Sequence, residues 1–152
     1  ETFCSSVIRL KKNYRSNSGL LEIPKALFYG DELNTVASEE EVRPPDISKT
    51  LFGGCLRRLY VDKSSASVLT LGVDGSHARS SIWSKGKSFV NSMEGEAVKD
   101  ICTEFVGKKI VSASQIGIVA LSRAQVMLIR EELRKVGLGG IRCGTVDDFQ
   151  GQ

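Results

Sequence analysis

Three short polar stretches of this chain carry side chains suited to gripping a phosphate: Lys11-Lys12-Asn13-Tyr14-Arg15-Ser16, Ser122-Arg123-Ala124-Gln125 and Asp147-Asp148-Phe149-Gln150-Gly151-Gln152. Forked guanidinium donors, amides, a hydroxyl and bare backbone N–H groups match the several oxygens a phosphate presents. Nucleophilic machinery does not stand out beside them. The chain has one histidine, His77, in a Gly-Ser-His loop without metal ligands at coordinating spacing, and no Gly-x-Ser-x-Gly elbow. Asp147-Asp148 is an acidic pair, but adjacent acids at a strand end alternate in direction. The expectation is one in solvent and one capping the next turn, with no metal bound. Ser84-Lys85-Gly86-Lys87-Ser88 contains a Gly-Lys-Ser, yet Ser81 stands where a phosphate-binding P-loop needs Gly. No buried strand leads into it and no helix opens at Lys87. The sequence therefore predicts no nucleotide cradle of its own.

Positioning those stretches requires a scaffold, and the second half of the chain supplies a legible one. Residues 67–73 alternate as a strand does. Ala97, Val98, Ile101, Cys102, Phe105 and Val106 fall on one face of a helix over 93–106, with Asn91 or Ser92 able to cap it and Gly107 to stop it. Ile116–Leu121 is a continuous apolar run, the type buried on both faces of a sheet. A helix over 123–136 follows, with Val126, Ile129, Leu133 and Val136 facing inward and Gly137 after it; then 141–146 reads as a strand. Strand-helix-strand-helix-strand at these lengths implies crossovers and a mainly parallel sheet, an α/β fold. The first half is less regular: a strand at Val7–Leu10, a helix through Leu20, Ile23, Leu27 and Phe28 that Pro24 must kink or split, an exposed loop over 34–50, and a second long loop over 74–92. In an open parallel sheet, ligands bind outside the carboxyl ends of the strands. The segments beginning at Asn13, Ser122 and Asp147 are therefore expected on one rim.

Bulk properties permit this reading without demanding it. A length of 152 residues suits one domain, and 41% apolar residues support a packed core rather than disorder. A net charge of +3 allows a polyanion partner. None of the four cysteines is spaced for zinc or a redox pair; Cys102 and Cys143 lie in apolar runs and read as buried free thiols, as in a reducing compartment, cytoplasmic or nuclear. No apolar run approaches the length of a membrane span.

Taken together, "NYRS" (13–16), "LLEIPKALFYGDEL" (20–33), "IGIVALSRAQVMLIREEL" (116–133) and "GTVDDFQGQ" (144–152) resemble the second RecA-like motor domain of superfamily 1 helicases, nearest the RNA-helicase group of RNA silencing and nonsense-mediated decay. The resemblance runs from about residue 7 to the end. It implies a RecA-like three-layer sandwich, the P-loop NTPase superfamily fold without its own P-loop, over 1–152. It implies a role as the C-terminal motor half of an ATP-dependent RNA (or DNA) helicase. Arg15 would be an arginine finger at the γ-phosphate, with Tyr14 near the nucleotide base or the cleft wall. Gln150 and Gly151 would face the nucleotide, and Thr145 would contact RNA. The family's Thr-Pro-Tyr turn is replaced here by Ala120-Leu121-Ser122, so backbone contact would fall to Ser122, with Arg123 or Gln125 assisting. ATP and Mg²⁺ would be held mainly by a first motor domain preceding residue 1, and the chain would be truncated within its last motif. Partners would be single-stranded RNA or DNA and that preceding domain, with no membrane. The alternative is a non-catalytic RecA-like module that binds protein or RNA. A Rossmann-type enzyme lacks its Gly-rich first turn here.

Overall fold

The computed structural model describes residues 8–38, 40–43, 45–47, 70–75, 78–79 and 88–150. The chain divides into two compact units, Glu1–Asp46 with Asp62–Thr70, and Ile47–Val61 with Leu71–Gln152. His77 and Lys85–Lys87 of the Gly-Lys-Ser stretch lie outside the described residues, as do Cys4, Cys55 and Gly151.

In the first unit, β1 (Lys12–Asn13) pairs in parallel with β2 (Asn34–Thr35), in the register Lys12↔Asn34 and Asn13↔Thr35. The strand expected at Val7–Leu10 is displaced. Ile8 and Leu10 are exposed and unpaired by any ladder, and pairing starts two residues after Leu10, at polar positions. The expected loop over 34–50 accordingly begins with a strand. Between β1 and β2 lies α1 (Ser18–Pro24), capped by Asn17, whose side chain accepts from the Leu20 N–H at 2.9 Å. Pro24 splits the helix as its chemistry requires: it has no N–H to donate and its ring crowds the preceding turn. The next five residues, Lys25–Tyr29, continue with the wider π-type bonding. Gly30 (φ 50°) and Asp31 (φ 66°) then turn the chain back through the left-handed region. Leu21 and Leu33 are the buried apolar residues of this stretch.

The strand expected over 67–73 is not formed at 70–73, and 67–69 lie outside the described residues. The expected loop over 74–92 contains an antiparallel pair instead, β3 (Ala78–Arg79) with β4 (Phe89–Val90). Asn91 then caps α2 (Ser92–Gly107), accepting from the Glu94 N–H at 3.2 Å. Gly107 is the last helical residue rather than the terminator; the left-handed position belongs to Lys109 (φ 55°). After a 3-10 turn (Ala113–Gln115) come β5 (Gly117–Val119), α3 (Arg123–Lys135) and β6 (Arg142–Gly144). β5 and β6 are parallel, with Gly117↔Arg142, Ile118↔Cys143 and Val119↔Gly144 opposed. This is the expected parallel β-α-β arrangement. Among the described residues each sheet has two strands, so the chain is α/β with small sheets, mostly parallel.

The core gathers on one face of β5–β6. Ile118, Ala120, Ile141 and Cys143 pack with Val126, Leu128, Ile129 and Leu133 of α3 and Cys102 of α2. The expectation that 116–121 is buried on both faces is not met: Val119 is half-exposed and Leu121 is 99% exposed. Of the four α3 residues expected inward, Val126, Ile129 and Leu133 are buried, but Val136 is 41% exposed. It lies past the last helical residue, where the chain has begun to turn off. The turn is a Schellman motif: Leu138 N–H bonds to Leu133 O (2.8 Å) and Gly137 N–H to Arg134 O (3.1 Å), with Gly137 at φ 76°. Along α2, Cys102 is buried while the rest of its apolar stripe is only half-buried. The closest approach of α2 to α3 is at Gly95, where a Cβ would run into the Leu128 methyl. Cys102 and Cys143 are free and buried, and burial pushes both thiols above the ordinary cysteine range.

Candidate functional site

The Asn13–Ser16 stretch is an Asx turn. The Asn13 carboxamide oxygen accepts from the backbone N–H of Arg15 (2.9 Å) and of Ser16 (2.8 Å). Thr35 Oγ1 donates to Ser16 O at 2.6 Å, and Asn17 Nδ2 to Val42 O at 3.2 Å, so the turn is tied down on its far side. Tyr14 (69% exposed) and Arg15 are left projecting from it. Among the described residues no carboxylate pairs with Arg15. A guanidinium carried on a fixed turn, without a carboxylate partner among the described residues, is suited to an anionic ligand.

In the second unit the loops after β5 and β6 lie side by side, because the strands are parallel and Ala120 N–H bonds to Gly144 O at 2.9 Å. Ser122 is the N-cap of α3. Its Oγ accepts from the Gln125 N–H (3.1 Å) and donates to Phe89 O (3.4 Å), so the hydroxyl is occupied by the protein itself. Gln125 does not face the rim. It is 8% exposed, and its amide is bonded at both ends to the backbone of Asn91, accepting from the N–H at 2.9 Å and donating to the carbonyl at 2.9 Å. The expected nucleic-acid contact at Gln125 is therefore corrected to a structural role: the side chain joins the starts of α2 and α3. Gln125→Ala would leave the Asn91 N–H, on a residue that is 2% exposed, without its partner, while the Asn91 carbonyl keeps the Gly95 N–H at 3.2 Å. We expect it to lower stability by about 2 kcal/mol, read as a reduced urea midpoint.

Arg123 is well exposed, with its Nη2 3.9 Å from Asp148 Oδ1, a weak pair that leaves the guanidinium accessible. Thr145 is not a strand residue. β6 ends at Gly144, and Thr145 caps α4 (Val146–Phe149) in a capping box. Asp148 Oδ2 accepts from the Thr145 N–H (2.8 Å) and from its Oγ1 (3.0 Å). These two bonds, first the backbone one and then the hydroxyl, with the nearby Arg123 and Arg130 charges, hold the Asp148 carboxyl below its ordinary range. Asp148 is thus the capping acid and Asp147 the one in solvent. Gln150 is exposed at the end of α4.

Several residues that shape this rim carry no chemical signature in the sequence. Phe149 lies against two glycines, one per strand: a Cβ on Gly117 would sit 3.1 Å from its ring, and one on Gly144 would sit 3.2 Å from it and 2.8 Å from Asp148 Cβ. The bare strand ends let α4 fold back over them. The Arg142 guanidinium stacks 4.5 Å from the Phe149 ring centroid, and its Nη2 donates to Asp148 O at 2.7 Å. Arg130 donates twice to Cys143 O, from Nε at 3.1 Å and Nη2 at 2.6 Å. Only the paired glycines, Gly117 opening one strand and Gly144 closing the other, give a hint of this in the sequence.

Among the described residues no group of three His, Cys, Asp or Glu side chains is placed to hold a metal, and no helix is long and apolar enough to cross a membrane. On this rim the Gln125 amide and the Gln125 and Thr145 N–H groups are taken up by the protein itself, which leaves Arg123 and Gln150 as accessible donors.

A family described as AAA domain matches residues 1–152. The human protein named RNA helicase Mov10l1 is 36% identical over 148 residues, covering 96% of this chain and 11% of its own length. The chicken protein named Putative helicase MOV-10 is 28% identical over 165 residues, covering 96% of this chain and 15% of its own. The Drosophila melanogaster protein named Probable RNA helicase armi is 28% identical over 145 residues, covering 95% and 12%. The chain thus spans between about a tenth and a seventh of the length of these relatives. It belongs to the AAA-domain family, on the side of that family similar to superfamily 1 RNA helicases.

Proposed function

We propose that this chain is the second RecA-like half of an ATP-dependent RNA helicase. The observation that carries the reading is the pre-set Asx turn at Asn13, which presents Arg15 outward without a carboxylate partner among the described residues. Arg15 would stabilise the charge that develops on a transferring γ-phosphoryl group, as an arginine finger does. Tyr14 would border the nucleotide beside Arg15, and Gln150 and Gly151 hold the positions that face nucleotide in the motif they resemble. Bound ATP would supply the phosphoanhydride whose cleavage drives the cycle. The described residues gather no carboxylates for Mg²⁺, so its ligands and the P-loop are assigned to a first motor domain, the partner across the cleft.

Single-stranded RNA would lie along the rim after β5 and β6. Arg123 is an accessible donor there. Ser122 and Thr145 would act chiefly by fixing the helix starts that aim backbone N–H groups at phosphates. Contact through phosphates implies little sequence preference. Relatives named as RNA helicases favour RNA over DNA as the strand, and a cytoplasmic setting goes with that reading.

The 152-residue chain alone is expected to hydrolyse no ATP. A coupled phosphate-release assay checks this with and without RNA. Turnover by the chain alone that disappears with Arg15→Ala would place a complete catalytic site inside it and overturn the assignment to a half-motor.

A further inference from the structure

Three arginines of α3 lie on one face of the helix. Arg130 and Arg134 follow Arg123 by seven and eleven residues, close to two and three full turns. The stripe is roughly 16 Å long at 1.5 Å per residue. It starts at the rim, where Arg123 meets Asp148, and ends beside an open cleft of about 480 Å³ lined by Arg130, Arg134, Arg142 and Phe149. The acids of the helix lie elsewhere: Glu132, which pairs with Lys135, is on the opposite side, and Glu131 is displaced by about a quarter turn.

Among the described residues neither Arg130 nor Arg134 pairs with a carboxylate. Arg130 is instead fixed by a backbone carbonyl, Cys143 O, which orients the guanidinium without neutralising it; Asp148, which also lines the cleft, lies near enough to feel its charge. Arg134 is exposed, with its methylenes over Gly139, where a Cβ would sit 3.0 Å from Arg134 Cγ. A row of cations on one helix face, one of them held in place by a backbone carbonyl and the first at the proposed phosphate-binding rim, is complementary to a polyanion with regularly spaced charges.

We propose that the Arg123–Arg130–Arg134 stripe is a backbone track that carries single-stranded RNA away from the rim along α3, with Arg142 at its far side. The inference rests on the nucleic-acid reading of the rim and adds the direction in which the strand leaves it. The strand is gripped by its phosphates, so the track is indifferent to base identity.

The experiment titrates a fluorescein-labelled oligouridine with the full chain across a salt series. Arg134→Ala is expected to weaken binding roughly fivefold and to flatten the salt dependence by about 0.7, the share of one phosphate contact on a single strand. Arg134→Glu is expected to weaken it further, and Arg134→Lys to keep most of the slope. Lys135→Ala, which removes the same charge about a quarter turn away, is the control and is expected to change little. Circular dichroism of each variant separates lost contact from lost fold. If Arg123→Ala weakens binding while the Arg134 variants match Lys135→Ala, the track is overturned and the rim stands. A wild-type chain that leaves RNA unbound at low salt overturns both, whether or not it binds polyglutamate.

Discussion

Arg15→Ala, made in the protein that carries both motor domains, is expected to lower kcat for RNA-stimulated ATP hydrolysis by about 10³-fold while RNA affinity stays within about twofold. The size follows from what an arginine finger does: it meets charge that exists only in the transition state, in a closed cleft where water does not compete. Arg15→Lys is expected to restore little, because a lysine offers a point charge where a fork of donors is needed. The turn itself should survive either change. Its backbone is held by the Asn13 side chain, which accepts from the main-chain N–H groups of residues 15 and 16 and is indifferent to the side chain at 15. A kcat reduced less than tenfold would mean that Arg15 is an ordinary surface cation, and the proposed placement of the turn at the ATP cleft would fall with it.

The second large effect is on stability. Leu133→Ala is expected to cost about 3 kcal/mol and lower Tm by roughly 10 °C. Leu133 is 1% exposed, the most buried large side chain among the described residues, and it packs where α3 meets β5, β6 and α2. Truncation there removes apolar contacts and leaves a cavity that rigid neighbours close only in part. Val136→Ala is the informative comparison. Helical spacing puts Val136 on the same face, yet it is 41% exposed beyond the last helical turn, and its truncation is expected to cost less than about 0.5 kcal/mol. Equal losses at the two positions in urea titration would show that α3 runs on past Lys135 and that Val136 is part of the core.

That contrast also shows what could be read from the residues alone. The α3 stripe and the Gly137 stop are legible because each depends on neighbours within a few positions. The same holds for Asn91 at the start of α2 and for the parallel pairing of the strands that flank α3. What escaped was non-local. Gln125 carries an ordinary rim amide by sequence, and only the fold brings Asn91, 34 positions earlier, onto both ends of it. The β1–β2 ladder is two residues long and made of polar side chains, so it leaves no apolar pattern, whereas Ile8 and Leu10 leave one and are solvent-exposed. Leu121 looked like core because its neighbours Ile118 and Ala120 are core; the chain has left the strand before reaching it. Of the residues singled out for contact, Arg15, Tyr14, Arg123 and Gln150 are accessible, whereas Ser122 and Thr145 are committed to caps.

The amide of Gln125 has a mechanical consequence. It is a rivet through two beams: one end of α2 and one end of α3 are fastened at a single point that excludes solvent. A pull on the Ser122–Arg123 turn is passed directly to the Asn91–Glu94 turn, without having to deform the greasy interior between the helices. A movement of either helix start would therefore be shared by the other, next to the loops proposed to hold the strand.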